Sequence, residues 1–181
     1  MFAHGSVLHV VMNMLALWSL GRRIEEGLGW ARFTFIFILT GVLGFIVSDF
    51  WYALRSPVLV PTVGASGGLF GLAGAYIAYL YARRDPIYKD LLLQLVIFSV
   101  VIALYMPVNN AAHVGGFLTG APMGYLFYKE NRPWRHEFVF RPIALLCIVA
   151  SVASVILCQT SSEWRIRRQM EIERGMELSR T

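Results

Sequence analysis

Two residues of this chain, Ser66 and His113, have side chains that could carry out a hydrolysis. Ser66 lies in the glycine-rich stretch GASGGLFGLAG (64–74), and His113 lies in AHVGGFLTG (112–120). A serine hydroxyl is a weak nucleophile until a neighbouring base takes its proton, and histidine is the side chain most often used as that base. The chemistry open to this pair is attack of Ser66 on a carbonyl carbon, provided that the fold brings the two side chains together.

Three further polar residues, His4, His9 and Asn13, lie near the start of the sequence. His9 and Asn13 are four positions apart, so in a helix they share one face and are separated along it by about 6 Å. Polar side chains in an apolar segment usually face the bundle interior or a water-filled cavity. His9 and Asn13 could therefore donate hydrogen bonds to an oxyanion formed at Ser66, beside the free N–H groups of a helix N-terminus.

The composition indicates that these residues belong to a membrane protein. Of the 181 residues, 57% are hydrophobic and 15% are charged, and the mean hydropathy is +0.59. Soluble domains are typically about 45–50% apolar. The net charge of +5 does not point to a nucleic-acid partner, because the basic residues fall between apolar runs and not on one periodic face.

The apolar segments predict an all-α fold, a polytopic membrane bundle of about six transmembrane helices. They cover residues 6–20, 30–52, 66–82, 91–106, 112–128 and 142–158. Most of them approach the length of about 17–25 residues that crosses a bilayer. We assign residues 1–158 to one bundle and residues 159–181 to a polar tail, which could form a short amphipathic helix on the membrane surface.

The distribution of lysine and arginine predicts the orientation of the bundle in the membrane. The connectors cover residues 21–29, 55–62, 82–90, 106–110 and 129–141. The first, third and fifth carry most of the basic residues, with Arg32 counted in the first, whereas the second has Arg55 alone and the fourth has none. Basic connectors are cytoplasmic by the positive-inside rule. The segments that begin near Ser66 and His113 therefore start at the outer side. We expect a multi-pass protein of a plasma membrane, the inner membrane of a bacterium, with its active site toward the outer side.

Glycines at four-residue spacing predict close contact between the third and fifth segments. Gly67 and Gly71 repeat in one segment, and Gly116 and Gly120 repeat in the other. Strips of small residues let helix backbones approach each other, and such an approach would put the serine within reach of the histidine. The plainer hypothesis is that a glycine-rich helix start serves packing alone.

The sequence offers no clear carboxylate to complete a Ser-His-Asp triad. Asp49 lies at the outer end of the second segment, and the other acidic residues lie in connectors or in the tail. We therefore expect a serine-histidine dyad. The histidines could instead form a metal site or a proton pathway, but no thiolate or carboxylate clearly joins them, so we expect no metal and no cofactor.

Three motifs, in this order and on separate apolar segments, resemble the rhomboid family of intramembrane serine proteases. They are FAHGSVLHVVMNMLALWSLG (2–21), GASGGLFGLAG (64–74) and AHVGGFLTG (112–120), and the match extends from about residue 2 to residue 128. The resemblance implies a rhomboid-like bundle in which Ser66 is the nucleophile and His113 is the general base.

The resemblance also implies roles for the remaining site residues. His9 and Asn13 correspond to the oxyanion-stabilising positions of the family, beside the backbone N–H of Ser66. His4 matches a further histidine near the mouth of the cavity, and Phe70 matches the aromatic residue that packs on the catalytic histidine. The matching glycines are Gly64, two residues before the nucleophile, and the close-packing pair Gly116 and Gly120.

The implied substrate is a transmembrane segment of another, single-span membrane protein, cut at or near its outer end. A helical segment must unwind before its carbonyl can be attacked, and it would reach the site sideways, past the first and fourth segments. Rhomboids have a first transmembrane helix and an outer loop that this sequence does not match. We therefore expect a truncated chain that begins at the family's second helix, and the segment 142–158 resembles the extra C-terminal helix of some members.

Two other functions remain as hypotheses. One is a catalytically inactive rhomboid-like protein that binds membrane helices, although such relatives commonly lack the nucleophile or the base and this chain keeps both Ser66 and His113. The other is a small transporter or proton channel that uses the histidines. That function calls for acidic residues at mid-membrane depth, and the sequence offers none apart from Asp49, whose direction is open.

Overall fold

The described part of the chain is helical and forms two compact units. The computed structural model describes His4 and residues 6–55, 62–105, 108–129 and 137–161. These residues form α1 (Val7–Leu28), α2 (Trp30–Ala53), α3 (Ser66–Ala82), α4 (Ile87–Tyr105), α5 (Asn110–Lys129) and α6 (Glu137–Thr160). They contain no strand, which confirms the all-α prediction. The units are Met1–Ala144 and Leu145–Thr181, so the division falls within α6.

Three of the described helices are long and apolar enough to cross a membrane. They are α2, α4 and the part of α6 from Phe138 to Thr160, with mean hydropathies of 2.1, 2.0 and 2.3. The side chains of α4 are buried only at Leu91, and those of α6 beyond Leu145 are mostly exposed. Apolar side chains on such surfaces are stable because lipid, and not water, surrounds them. The predicted polytopic membrane bundle is confirmed.

The glycines make α3 the central helix of the first unit. It packs most extensively against α5 and next against α2. A β-carbon added at Gly116 would collide with the carbonyl of Gly67, and one added at Gly120 would collide with the carbonyl of Gly71. At Gly67 itself a β-carbon would lie 3.5 Å from the nearest atom, an ordinary contact. Gly67 therefore contributes its carbonyl to this contact, whereas Gly116 and Gly120 contribute the absence of a side chain.

The first predicted connector, 21–29, is helical in the structure up to Leu28. Its charged residues support the helix, because Arg22 Nε lies 3.2 Å from Glu26 Oε1 one turn later. Ile24 and Leu28, on the other face, are 0% and 3% exposed. The prediction of a connector was wrong because it equated polar composition with the absence of a helix. The turn is made by Gly29 alone, whose φ of 80° suits glycine.

Arg32, in the same region, is a buried residue of a helix and not a charge of a connector. The sequence assigns this residue to the charges of a connector, but in the structure it lies in the first turn of α2 and is 2% exposed. Its guanidinium carbon lies 5.1 Å from the ring centre of Phe127 and 5.2 Å from that of Phe140. Cation-π contacts with two rings help to offset the cost of burying this charge.

Most of the other helix ends, those of α3 excepted, differ from the predicted ones by a few residues. α4 begins at Ile87, where Asp85 Oδ1 accepts a hydrogen bond from the Ile87 N–H at 3.1 Å, and α6 begins at Glu137. The segments were predicted to begin at 91 and 142, since the pattern marked only their apolar parts. The predicted surface helix of the tail lies outside the described residues, which end at Ser161.

Candidate active site

The structure brings Ser66 and His113 into direct contact. Ser66 is the first residue of α3, and His113 lies in the first turn of α5. The Nε2 atom of His113 lies 2.8 Å from the Oγ atom of Ser66. A hydrogen bond of this length allows the imidazole to take the hydroxyl proton. We call the end of the bundle where α1, α3 and α5 begin the site end.

Phe70 holds the imidazole ring of His113 in place. The two rings are stacked, with centroids 4.1 Å apart and planes inclined by 4°. Phe70 follows Ser66 by one turn of α3, so the same helix supplies the hydroxyl and the surface on which its partner rests. His113 is 9% exposed. Packing thus fixes the ring plane of the histidine, a task that a carboxylate performs in a triad.

A cavity of about 1210 Å³ opens beside this pair. Residues from α1 to α5 line it, and most of them are apolar. The lining reaches from the Ser66 hydroxyl at the site end to Arg23 and Tyr76 near the opposite end of α1 and α3. Among the described residues the lining includes no carboxylate, and Asp49 is exposed. The volume of the cavity exceeds the roughly 300–1,000 Å³ of a typical small-molecule pocket.

His9 and Asn13 lie against the backbone that leads into α3. A β-carbon added at Gly64 would lie 2.6 Å from His9 Nε2 and 3.6 Å from Asn13 Nδ2. Asn13 is 4% exposed, and its Nδ2 donates a hydrogen bond to the His9 carbonyl at 3.1 Å. The structure therefore brings both side chains to the residue two positions before Ser66. The hydrogen bond of Asn13 in this state is to its own helix.

His4 contacts the ring of His9 and does not line the cavity. Its ring meets the His9 ring edge-on, with centroids 5.0 Å apart and planes inclined by 79°. It is not among the residues that line the cavity. The start of α1 is held by Ser6, whose Oγ accepts a hydrogen bond from the His9 N–H at 3.2 Å. His4 thus supports the His9 ring and does not face the cavity.

Three polar residues next to the site were not predicted from the sequence. Asn109, Ser48 and Thr62 form a hydrogen-bonded cluster at the site end, and Thr62 and Asn109 also line the cavity. One signal was available, because an asparagine just before a helical segment is a typical N-cap. Its contacts with Ser48 and Thr62 join positions far apart in the sequence, and no local pattern reports them.

Gly64→Ala is expected to damage the site without touching its reacting atoms. Gly64 has a φ of 104°, a backbone angle that residues other than glycine rarely adopt, and the added methyl group would collide with the His9 ring. Such a backbone position costs about 1–3 kcal/mol in other residues. We expect a lower thermal midpoint of unfolding and a displaced His9.

The matched control is Gly21→Ala in α1, where the nearest atom to the new β-carbon is 3.5 Å away. Both variants would be melted in the same detergent, beside the unmodified chain. A Gly64→Ala variant that melts like Gly21→Ala would contradict this account of the Gly64 backbone.

Fold and site together define the class of this protein. It is a helical integral membrane protein whose bundle holds a hydrogen-bonded serine and histidine at the edge of a cavity. The chain belongs to the rhomboid family, because the family model for the Rhomboid domain matches residues 1–130.

Curated relatives agree with the family model. The chain is 34% identical over 144 residues to RHOMBOID-like protein 6, mitochondrial, of Arabidopsis thaliana, which covers 76% of the chain and 45% of that relative. It is 29% identical over 142 residues to Rhomboid-type serine protease 2 of Emericella nidulans, covering 76% and 27%. It is also 29% identical over 121 residues to Rhomboid protease GluP of Bacillus subtilis, covering 65% and 23%. The chain spans less than half the length of each of these relatives.

Proposed function

We propose that this chain is an intramembrane serine endopeptidase that cleaves transmembrane segments of other membrane proteins. The observation that carries the proposal is the 2.8 Å contact between His113 Nε2 and Ser66 Oγ at the edge of a cavity inside a membrane bundle. The names of two relatives, a rhomboid-type serine protease and a rhomboid protease, support hydrolysis as the reaction.

In the proposed mechanism His113 takes the Ser66 proton while Oγ attacks the scissile carbonyl carbon. The tetrahedral intermediate collapses, the carbon-nitrogen bond breaks, and His113 gives its proton to the leaving amine. The product is an ester between Ser66 and the N-terminal part of the substrate. His113 then takes a proton from water, the hydroxide attacks the ester, and the proton returns to Ser66 as the new carboxyl group leaves.

The oxyanion would be stabilised at the start of α3. The N–H of Ser66 is among the first four of the helix, which have no acceptor within it, and the positive end of the helix dipole lies there. His9 and Asn13 stand against the adjoining Gly64 backbone and would add side-chain donors. Asn13 would exchange its bond to the His9 carbonyl for one to the developing charge.

The proposed substrates are single-span membrane proteins whose spanning helix unwinds near one end. Both α1 and α4 contribute residues to the cavity lining, so a segment passing between them would meet Ser66 without crossing the bundle. A peptide bond inside a regular helix has its carbonyl engaged, and helix-breaking glycine or proline in the substrate would free it. From the lysine and arginine pattern we place the site end at the outer side of the membrane. The membrane that we propose is the plasma membrane of a bacterium, the source of the relative GluP.

Asn13→Ala is expected to slow cleavage of a transmembrane substrate by about tenfold to a thousandfold, the range for loss of one oxyanion donor. The loss should fall on kcat, because the bond forms only as charge develops. A normal kcat in a folded variant would remove Asn13 from this role. Ser19→Ala is a suitable control, since Ser19 lines the cavity on the same helix.

A fluorophosphonate serine probe tests the proposed function directly. The purified chain would be labelled in detergent beside Ser66→Ala and Ser99→Ala. Ser99 also lines the cavity, but its hydroxyl donates to the Leu95 carbonyl at 2.6 Å. Labelling that is lost only in Ser66→Ala supports the proposal. If the folded chain does not label, the proposal fails, and the hypothesis of a helix-binding, catalytically inactive protein takes its place.

A further inference from the structure

Asn109 connects three separate segments at the site end. Its Nδ2 donates hydrogen bonds to Ser48 Oγ at 2.6 Å and to Thr62 Oγ1 at 3.0 Å. The two hydroxyl oxygens lie 3.1 Å apart. Ser48 belongs to α2, Thr62 precedes α3, and Asn109 precedes α5. We call these three residues the Asn109 clamp.

The other atoms of Asn109 cap α5. Its Oδ1 accepts a hydrogen bond from the Ala112 N–H at 3.1 Å, the usual bond of an N-cap residue. Its backbone carbonyl accepts a bond from the N–H of His113 at 3.2 Å. Asn109 is therefore bonded to the backbone of the histidine whose ring contacts Ser66. The side chain joins the first turn of α5 to the clamp.

Two residues of the clamp precede the serine and the histidine by the same number of residues. Thr62 stands four residues before Ser66, and Asn109 stands four residues before His113. A bond between Thr62 and Asn109 thus limits how far the starts of α3 and α5 can separate. Ser48, which is 0% exposed, fixes both to the end of α2.

The hydroxyls of the clamp are used differently from other hydroxyls in these helices. Those of Thr40, Ser99 and Thr119 donate back to the carbonyl one turn earlier in their own helix. The hydroxyl of a serine or threonine in an apolar helix can form its hydrogen bond in this way without a partner on another helix. The hydroxyl of Ser48 instead accepts a bond from a residue 61 positions away. A buried hydroxyl therefore does not need bonds such as those of the clamp, because it could bond to a carbonyl of its own helix.

We propose that Asn109 is a positioning residue, which with Ser48 and Thr62 keeps the His113 imidazole on the Ser66 hydroxyl. The inference rests on the proposed function of that pair. A displacement of about 1 Å between reacting groups lowers a rate by up to about a hundredfold. Loosening the clamp should therefore slow the reaction of Ser66 more than it lowers the stability of the bundle.

The test separates capping from clamping. Asn109→Ser keeps an oxygen that can cap α5 but is too short to reach Ser48, whereas Ser48→Ala and Thr62→Val remove the partners and leave the cap. We expect each variant to reduce the fluorophosphonate labelling rate and the kcat for a transmembrane substrate by about tenfold to a hundredfold, with KM little changed. Asn110→Ala, at the exposed neighbouring position, should behave like the unmodified chain.

A double-variant cycle shows whether Asn109 and Ser48 act as one unit. Asn109→Ser combined with Ser48→Ala should be no slower than either alone, because residues of one network are not additive. Thermal melting gives the stability of every variant, and each rate is divided by the concentration of folded protein.

The outcomes also separate this inference from the proposed function. If the unmodified chain shows no Ser66-dependent labelling, the proposed function fails, and the inference fails with it. If the unmodified chain labels and the folded Ser48→Ala, Thr62→Val and Asn109→Ser variants label equally fast, only the positioning role is overturned. A rate that falls only in proportion to the folded fraction also overturns it.

Discussion

Replacing Ser66 with alanine is expected to stop cleavage of a transmembrane substrate, with a fall in kcat of about 10⁴-fold or more. The alanine has no oxygen to attack the carbonyl, and no other hydroxyl lies within hydrogen-bonding distance of His113 Nε2 among the described residues. His113→Ala should cause a loss of similar size, because the serine then keeps its proton. The measurement is the appearance of both cleavage fragments over time, with the enzyme and substrate in the same detergent or vesicles.

The double variant Ser66→Ala/His113→Ala gives a sharper test of a pair acting together. It should be no slower than either single variant, since each loss removes the same reaction path. Ser99→Ala is the matched control, because it removes a hydroxyl of the cavity lining that is bonded to its own helix. Turnover that survives in both single variants would refute the dyad.

Gly120→Val is expected to prevent correct packing of α3 against α5. A β-carbon at Gly120 would collide with the Gly71 carbonyl, which belongs to the backbone and cannot rotate away as a side chain would. The helices must separate, and the contact that sets the Ser66 to His113 distance is lost with them. We expect little folded protein after solubilisation, a strongly lowered thermal midpoint and no labelling of Ser66. Gly116→Val should behave similarly because its β-carbon would collide with the Gly67 carbonyl.

The milder substitution Gly120→Ala can be compared with Gly21→Ala. Both add one methyl group to a helix. At Gly21 the atoms nearest to the new β-carbon belong to the side chain of Phe33 and lie 3.5 Å away, an ordinary contact. Gly21→Ala should therefore melt like the unmodified chain, and Gly120→Ala should melt well below it. A Gly120→Val variant with normal stability and activity would contradict the packing of α3 against α5 described here.

Most of the helices, and the residues that are candidates for chemistry, could be predicted from local sequence. The helices of a membrane bundle are marked by apolar composition, which is local, and the segment 66–82 corresponds to α3 without change. The motif around Ser66 and the one around His113 each stand at the start of a helix. Local sequence was a poor guide where charged residues continue a helix, as in the last two turns of α1, because burial of Ile24 depends on neighbouring helices.

The contacts between the candidate residues depend on how the helices pack and could not be predicted from local sequence. The 2.8 Å contact joins residues 47 positions apart, and the Asn109 bond to Ser48 joins residues 61 positions apart. Such contacts depend on how closely the helices pack and on how each is rotated about its axis. Glycine spacing predicts that two helices approach, but it does not specify which carbonyl each glycine faces. The stacking of Phe70 on His113 and the clamp at Asn109 follow from that packing, because side chains on different helices are brought together only when the helices have docked.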